Sequence, residues 1–405
     1  MTQSVDKAYE DAMASGLIPG TSLLAGDKEG NILYSKSLGN ASIKQGRDLP
    51  FADDTVCGVA SLSKLMTSVA TLQCVEDGIL ELDRDVRPLL PEMGKYGIIT
   101  GFHESESENA TTFIFTPDST PITLRMLLSH TSGHEYDWLN PLLGKWRESR
   151  NEGLWSGPTI EEKSAIPLVF VPGTGFAYGA GHDWAGKLIQ LASGTSLEDF
   201  MRARIWAPLG IDDDATFWPR TKENIKNRTA DLSILGEDGK LFDGSAVDLT
   251  FGATDCMGGG GIFASTRAFY TFLSAVLRRS PKLLSSSSYV ELFRPQLSEQ
   301  LEHKLNDFIA LSPTHTNFLG LRIPPSVRKT WSFAGLIAKD RQENRFERGT
   351  TFWAGATSTI WFIDHEAGIC GTAFCQLLPP LHPPVLALHE QFQRGVFEEA
   401  KRRIS

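Results

Sequence analysis

A serine and a lysine stand three residues apart, as Ser61 and Lys64, where the apolar pattern predicts the start of a helix. Residues at this spacing share one face of a helix, with Cβ atoms about 5–6 Å apart, so the lysine amine can reach the serine hydroxyl. In a partly dry pocket such an amine can act as a base and make the alcohol nucleophilic. Free N–H groups in the first helical turn also favour negative charge. The spacing alone is a weak signal, so other parts of the chain must complete the site.

The composition indicates a globular protein. The chain has 405 residues, of which 41% are hydrophobic and 22% are charged, so it can bury a sizeable core. Its formal net charge of −10 gives no attraction for nucleic acid or an anionic membrane. No apolar run approaches the roughly 20 residues that span a bilayer, and the N-terminus lacks a secretory pattern. The five cysteines without C-x-x-C spacing favour a reducing compartment. We therefore expect a cytoplasmic protein with no nucleic-acid or membrane partner.

The order of the expected elements predicts an α+β fold. A helix over 5–15 precedes two short β-rich runs joined by a turn, and further strands and a closing helix lie near the C-terminus. We expect a single domain over 1–405. Its antiparallel sheet is built from about 1–55 and 325–405, with a mostly helical region over about 56–324 beside it. The helix that starts near Ser61 has apolar spacing typical of a central, buried helix.

The sequence predicts a specific local structure for two stretches of the middle region. Residues 82–90 read as a short capped helix that ends at Pro91, and the polar stretch 96–121 reads as an irregular surface insertion. His130 and His134 have a spacing that zinc ligands can have. The Thr131–Gly133 break and the lack of a third ligand favour a structural role for His130, and we expect no metal and no cofactor.

Four stretches, in this order, resemble motifs of the serine β-lactamase/penicillin-binding superfamily, specifically its class C β-lactamase-like esterases and transesterases. The segment Tyr178–Gly186 is also similar to the Tyr-Gly-x-Gly-x-Asp-Trp-Ala-Gly run of fungal acyltransferases of the lovastatin type. The resemblance covers about residues 5–395. The four stretches are Ser61–Lys64, Ile122–Gly133 (similar to ITLRHLLTHTSG), Pro172–Tyr178 (similar to PGTRFSY) and Gly258–Phe263 (similar to GGGLFS).

The resemblance implies a role for each matching residue. Ser61 would be the acylated nucleophile and Lys64 its activating partner. Tyr178 would carry the proton to and from Ser61, for which a neighbouring cation such as Lys64 must stabilise its phenolate. The third motif of lactamases aligns best with Trp353-Ala354-Gly355 on a late strand. The oxyanion hole would then consist of the backbone N–H groups of Ser61 and Ala356.

The chain departs from the lactamase pattern at two positions that bear on the substrate. Ala180 stands where the second motif ends in asparagine, and Trp353 stands where lactamases place a cation for the substrate carboxylate. An aromatic side chain there favours an apolar acyl group or a bulky neutral acceptor. We count Trp353, Gly355, Ala180 and Asp183 as candidate substrate-binding residues, although capping and packing of the next helix is the favoured role for Asp183.

These patterns favour a serine acyltransferase that transfers an acyl group through acyl-Ser61 to a hydroxyl or amine of a natural product. Three alternatives stay open: a hydrolase that resolves the same intermediate with water, a non-catalytic binding protein, and a scaffold recruited for a non-acyl reaction such as elimination or cyclisation. The expected partners are a small-molecule acyl acceptor and an acyl thioester donor. A carrier protein as the bearer of that donor is implied by the resemblance alone.

Overall fold

A computed structural model describes residues 2–105 and 110–404. A 3-10 turn lies at Ala60–Leu62 and a π-helical turn at Arg202–Trp206. The α-helices are α1 Thr2–Ala14, α2 Ser63–Glu76, α3 Leu124–Leu128, α4 Pro141–Glu148, α5 Ile160–Ser164, α6 Gly181–Ser193, α7 Leu197–Met201, α8 Ala207–Leu209, α9 Glu223–Lys226, α10 Thr266–Leu277, α11 Ser286–Phe293, α12 Glu299–Ala310, α13 Pro313–Phe318 and α14 Pro383–Ile404. None of these helices is long and apolar enough to cross a bilayer.

The strands of the described residues are β1 Gly20–Asp27, β2 Ile32–Gly39, β3 Val56–Gly58, β4 Ile98–Ser105, β5 Ala110–Thr116, β6 Ala215–Thr216, β7 Ser233–Leu235, β8 Leu241–Asp243, β9 Phe263–Ser265, β10 Lys329–Trp331, β11 Leu336–Ala338, β12 Thr351–Gly355, β13 Thr359–Asp364, β14 Ile369–Phe374 and β15 Leu377–Leu378. Seven of them form the main sheet in the order β10-β11-β12-β13-β14-β1-β2, and its pairings are antiparallel.

The two ends of the chain meet in this sheet, because the first strand β1 pairs with the last long strand β14 and places Leu23 opposite Ala373. Every residue of β14 is buried, so both faces of the sheet are covered. Phe269 of α10 packs on Phe374 of β14. Phe392 of α14 packs on Tyr34 of β2 and Phe362 of β13. The strand register and the alternation of side chains place Tyr34 and Phe362 on the face of the sheet opposite to Phe374. A continuous core runs from α1 through the sheet to α14.

Helix α2 lies in the interior beside this sheet. Its residues from Ser63 to Cys74 are all buried, as expected for a helix enclosed on every side. The chain enters it through the short strand β3 and the 3-10 turn, and the main sheet lies against that turn through β12. The start of α2 is therefore fixed from both sides of the fold.

The two specific expectations for the middle region were wrong. Residues 82–90 form turns instead of a helix, because Val86 donates its N–H to Ile122 and the Asp85 carboxylate binds the Arg87 guanidinium. The expected irregular insertion contains the antiparallel hairpin β4–β5. Most of that hairpin is exposed. Its apolar residues are neighbours in the chain, as in Ile98-Ile99 and Phe113-Ile114-Phe115, so the strict alternation that indicates a half-buried strand is absent. Residues 106–109 of this stretch lie outside the described residues.

We predict that Phe392→Ala lowers the free energy of unfolding by about 3–5 kcal/mol, because its ring is fully buried between α14 and the sheet. Urea denaturation followed by circular dichroism measures the change. Val290→Ala is the matched control, since Val290 of α11 is 59% exposed and its truncation should change the stability by less than about 0.5 kcal/mol. Equal losses in the two variants would contradict the assigned core.

Candidate active site

The Ser61 hydroxyl lies at the floor of a cavity of about 440 Å³. The residue before it, Ala60, has a φ of 47°, a left-handed conformation that costs a residue other than glycine about 1–3 kcal/mol. Hydrogen bonds on both sides keep the chain in this shape: Val59 donates its N–H to Ile262 at 3.0 Å, and the Ser63 hydroxyl donates to the Ala60 carbonyl at 2.7 Å. The strained turn presents Ser61 to the cavity, while α2 is buried from Ser63 to Cys74.

The Lys64 side chain is buried and uses each of its three N–H donors. Its Nζ lies 3.1 Å from Ser61 Oγ, 2.7 Å from the carbonyl oxygen of Gly259 and 3.3 Å from Tyr136 Oη. The helical spacing thus brings the amine to the serine as expected. The other two acceptors come from distant parts of the chain and hold the amine in place.

The Tyr178 hydroxyl donates to Ser61 Oγ at 2.8 Å and accepts a hydrogen bond from Trp353 Nε1 at 3.1 Å. Lys64 Nζ lies 4.7 Å from the centre of the Tyr178 ring. Ser61 Oγ therefore contacts both the lysine amine and the tyrosine hydroxyl. The structure brings together Ser61, Lys64, Tyr178 and Trp353, four residues chosen from the sequence.

His130 holds the loop that carries Tyr178 at two points. The His130 carbonyl accepts the N–H of Ala177 at 2.9 Å, and its Nδ1 accepts the N–H of Gly179 at 3.3 Å. Burial lowers the pKa of His130 well below its ordinary value, and the charge of Lys64 acts in the same direction. A neutral imidazole is consistent with an Nδ1 that accepts. His130 thus has a structural role beside the site, as expected.

Asp183 does not cap its helix, because the N-cap of α6 is Ala180, which has no capping side chain. Its carboxylate instead accepts the N–H of Gly259 at 2.8 Å. A Cβ at Gly259 would lie 2.6 Å from Asp183 Oδ2, so only glycine permits this approach. Burial raises the pKa of Asp183, while Lys64 and the Gly259 N–H oppose that shift. The contact positions the carbonyl of Gly259 that receives the Lys64 amine.

Strand β12 ends against the turn that contains Ser61. A Cβ at Gly355 would lie 2.5 Å from the Val59 carbonyl oxygen, so a larger residue would push the strand away from this turn. Thr357 Oγ1 donates to the Gly58 carbonyl at 2.7 Å and fastens the chain just beyond the strand. Ala356 lies between these two contacts and lines the same cavity as Ser61. This placement keeps the Ala356 backbone close to the serine.

The wall of the cavity is largely apolar and aromatic. Trp353 and Asp183 line it, whereas the other two candidate substrate-binding residues do not: Gly355 is packed against Val59, and Ala180 is buried at the start of α6. Within 2–105 and 110–404, no cluster of side chains has the composition of a metal site. Further lining residues are Trp138, Leu154, Trp155, Val247, Leu249, Phe251, Met257, Phe263, Phe318 and Leu381.

Sequence reasoning missed Tyr136, whose hydroxyl accepts from Lys64. Burial raises its pKa well above the ordinary value, and the charge of Asp183 adds to this effect, so the hydroxyl keeps its proton at neutral pH. The only signal in the sequence was a concentration of aromatic residues between 136 and 155. Neither helical nor β periodicity in this stretch indicates which of these aromatic residues lies beside Lys64.

Comparisons with known proteins identify the family of the chain. A family model described as beta-lactamase matches residues 5–394. The lovastatin esterase of Penicillium rubens is 32% identical over 98% of both chains. The monacolin J acid methylbutanoyltransferase of Aspergillus terreus is 32% identical over 98% of this chain and 95% of its own. A solved structure of a mutant simvastatin synthase from Aspergillus terreus has a TM-score of 0.89 at 32% identity, covering 98% of this chain and 95% of its own. The chain therefore belongs to the beta-lactamase family.

Proposed function

We propose that this protein is a serine acyltransferase that forms an acyl-Ser61 intermediate and passes the acyl group to a hydroxyl or amine of a natural product. The observation that supports this most directly is the pair of contacts at Ser61 Oγ, with Lys64 Nζ at 3.1 Å and Tyr178 Oη at 2.8 Å. The relatives named as acyltransferases and as an esterase, each 32% identical over nearly the whole chain, favour the same chemistry.

In the first step Tyr178 acts as a phenolate, its own proton having passed to the solvent. Ser61 Oγ attacks the carbonyl carbon of the acyl donor, and the serine proton passes to the Tyr178 oxygen. The Lys64 cation beneath the ring and the Trp353 N–H stabilise the negative charge of the phenolate that accepts this proton. Tyr178 then returns the proton to the departing group, so the enzyme needs no net proton. The products of this step are the acyl-serine ester and the protonated leaving group.

The negative oxygen of the tetrahedral intermediate is stabilised by the backbone N–H groups of Ser61 and Ala356. Ser61 lies in the first turn of the helical segment, where N–H groups have no acceptor within the helix. Ala356 follows the end of β12 at the same cavity. Each such donor contributes about 2.7–4 kcal/mol to the stability of the transition state.

In the second step the Tyr178 phenolate takes the proton of the acceptor hydroxyl, whose oxygen attacks the carbonyl carbon of the acyl-serine ester. The bond from that carbon to Ser61 Oγ breaks, and Tyr178 returns the proton to Ser61 Oγ. Water in the acceptor position gives hydrolysis instead. The aromatic wall of the cavity suits an organic acceptor and limits the access of water. We propose an acyl thioester as the donor, with a carrier protein as its bearer, and the cytoplasm as the location of the reaction.

We predict that incubation with a p-nitrophenyl ester or a short acyl thioester increases the intact mass of the protein by one acyl group. Ser61→Ala should abolish this adduct and lower kcat by about 10⁴-fold or more, because the nucleophile is lost. Ser286→Ala, at an exposed serine of α11, is the control and should retain the adduct. Full activity of the Ser61→Ala variant would exclude the acyl-serine mechanism.

We predict that Trp353→Phe lowers kcat about tenfold to a hundredfold, because it removes an N–H donor worth about 1.5–3 kcal/mol to a charged oxygen. The ring that remains should leave KM nearly unchanged. Trp331→Phe is a matched control, since Trp331 is also buried beside Trp353 but its Nε1 has no hydrogen-bond partner in the described part of the chain. Steady-state ester hydrolysis measures both variants, and equal effects would contradict the assigned hydrogen bond.

The relative named as an esterase favours hydrolysis as a second candidate function. We predict that a bulky apolar alcohol diverts most of the acyl group into a new ester, since it can occupy the apolar cavity in place of water. Mass spectrometry of the products gives the ratio of ester to free acid. Ethylene glycol at the same concentration should divert little. Free acid as the sole product with both alcohols would identify the protein as a hydrolase.

A further inference from the structure

A buried lysine outside the catalytic group connects two walls of the cavity. Lys163, in α5, is fully buried, and its Nζ donates to the carbonyl oxygens of Trp155 at 3.1 Å and Phe251 at 2.8 Å. These two aromatic residues lie almost a hundred positions apart in the chain, on different loops, and both line the cavity above Ser61. One cation therefore joins the main chains of two substrate-facing loops.

Both loop residues have a strained backbone that Lys163 helps to maintain. Trp155 has a φ of 51° and Phe251 a φ of 53°, values that bulky residues adopt only when their surroundings enforce them. The N–H of Trp155 donates to Asp137 Oδ2 at 3.0 Å, and that of Phe251 donates to the Asp248 carbonyl at 3.0 Å. Each residue is thus held at its N–H by a nearby group and at its carbonyl by Lys163.

Burying the Lys163 cation costs free energy, and its contacts have to compensate for that cost. Burial lowers the pKa of Lys163, and the charges of Asp183 and Asp248 act against that shift. Other contacts also connect the two loops, such as the bond from the Thr254 N–H to the Pro158 carbonyl at 2.8 Å. Among these links, the one through Lys163 is made directly to cavity-lining residues.

The two walls have different relations to the catalytic group. The Trp155 ring packs edge-on against Tyr136 with ring centres 4.9 Å apart, and Tyr136 in turn contacts Lys64. Phe251 also lines the cavity but is 58% exposed to solvent, so we call it the outer wall and Trp155 the inner wall. The inner wall is therefore anchored to the catalytic residues, whereas the outer wall depends on its main-chain contacts for its position.

We infer that Lys163 is a positioning residue that fixes the gap between Trp155 and Phe251 and thereby gives the cavity its preference for bulky apolar substrates. This inference rests on the proposed acyl transfer and adds a specificity determinant to it. Preformed walls bind a large substrate without the cost of ordering loops, and a small substrate that touches neither wall gains little from them.

The test compares p-nitrophenyl acetate with the p-nitrophenyl ester of cyclohexanecarboxylic acid in Lys163→Met, which keeps a side chain of similar length without its charge. The ratio of kcat/KM for the bulky ester to that for acetate should fall about tenfold, mainly through a higher KM for the bulky ester. Lys187→Met is the matched control. Lys187 bonds Glu161 at 3.0 Å and Asp255 at 3.3 Å, close to the same loops, but does not line the cavity, so its ratio should not change.

An unchanged ratio in a folded Lys163→Met variant, or a loss shared equally by both esters, would overturn the inference. If that variant does not fold, Phe251→Gly replaces it, since glycine tolerates the positive φ and the ring is exposed. Its ratio should fall as well, and an unchanged ratio would again overturn the inference.

A failure of the proposed function gives a different result. In that case the unmutated protein forms no acyl-enzyme and hydrolyses neither ester. The affinity of the cavity for the neutral apolar dye Nile red then tests Lys163 alone, by fluorescence titration. The Kd should rise several-fold in Lys163→Met and stay constant in Lys187→Met. Equal dye affinity in all three proteins would overturn the role of Lys163 whatever the function.

Discussion

The site depends on one buried amine that is held by three parts of the chain. Lys64 Nζ contacts Ser61 on its own helical segment, the Gly259 carbonyl in a glycine-rich turn and the Tyr136 hydroxyl in a loop. A lysine on a flexible four-carbon stem has no preferred direction of its own. Its acceptors supply that direction, and the Asp183 carboxylate in turn holds the peptide of Gly259. The helical region therefore has to pack correctly before the Lys64 cation lies beside Ser61 and the Tyr178 ring.

The sheet provides the other half of the site. Strand β12 carries Trp353 to the Tyr178 hydroxyl and ends at Gly355, where the missing side chain lets the strand meet the turn before Ser61. Because β12 lies inside a seven-stranded sheet closed by both ends of the chain, its end cannot shift without disturbing the core. In the proposed mechanism the nucleophile and one oxyanion donor come from the helical segment, and the second donor, Ala356, follows the end of a strand. A rigid packing between the two gives the precision that such a mechanism requires.

The α+β fold, the family and the class of serine-dependent enzyme were predicted from the sequence, and the comparisons confirm them. The Ser61–Lys64 contact follows from helical spacing, a local property. The approach of Tyr178 to Ser61, 117 positions away, was available only through the resemblance, because spacing carries no information about contacts between distant segments. For the same reason Tyr136 and Lys163 were missed. The errors over 82–90 and in the β4–β5 hairpin were local. A side-chain contact at Asp85 replaced a helix, and the apolar residues of the exposed hairpin are neighbours in the chain instead of alternating with polar ones.

The position of Trp353 links the catalytic group to the kind of substrate that fits. A cation at this position would bind a substrate carboxylate, but it could not pack its side chain against the Tyr178 ring and donate a neutral N–H to the same hydroxyl. Trp353 does both, with ring centres 5.1 Å apart and the indole N–H 3.1 Å from Tyr178 Oη. With tryptophan in place of a cation, the site lacks an anchor for anionic substrates. The Lys64 cation and the dipole of the Trp353 N–H then provide the electrostatic stabilisation of Tyr178. Because the adjoining wall is aromatic, the binding energy available near Ser61 comes from apolar contact area. Under the proposed function, a site built this way selects its substrates by shape and size. The positions of the loop walls are then as important for specificity as Ser61 and Tyr178 are for rate.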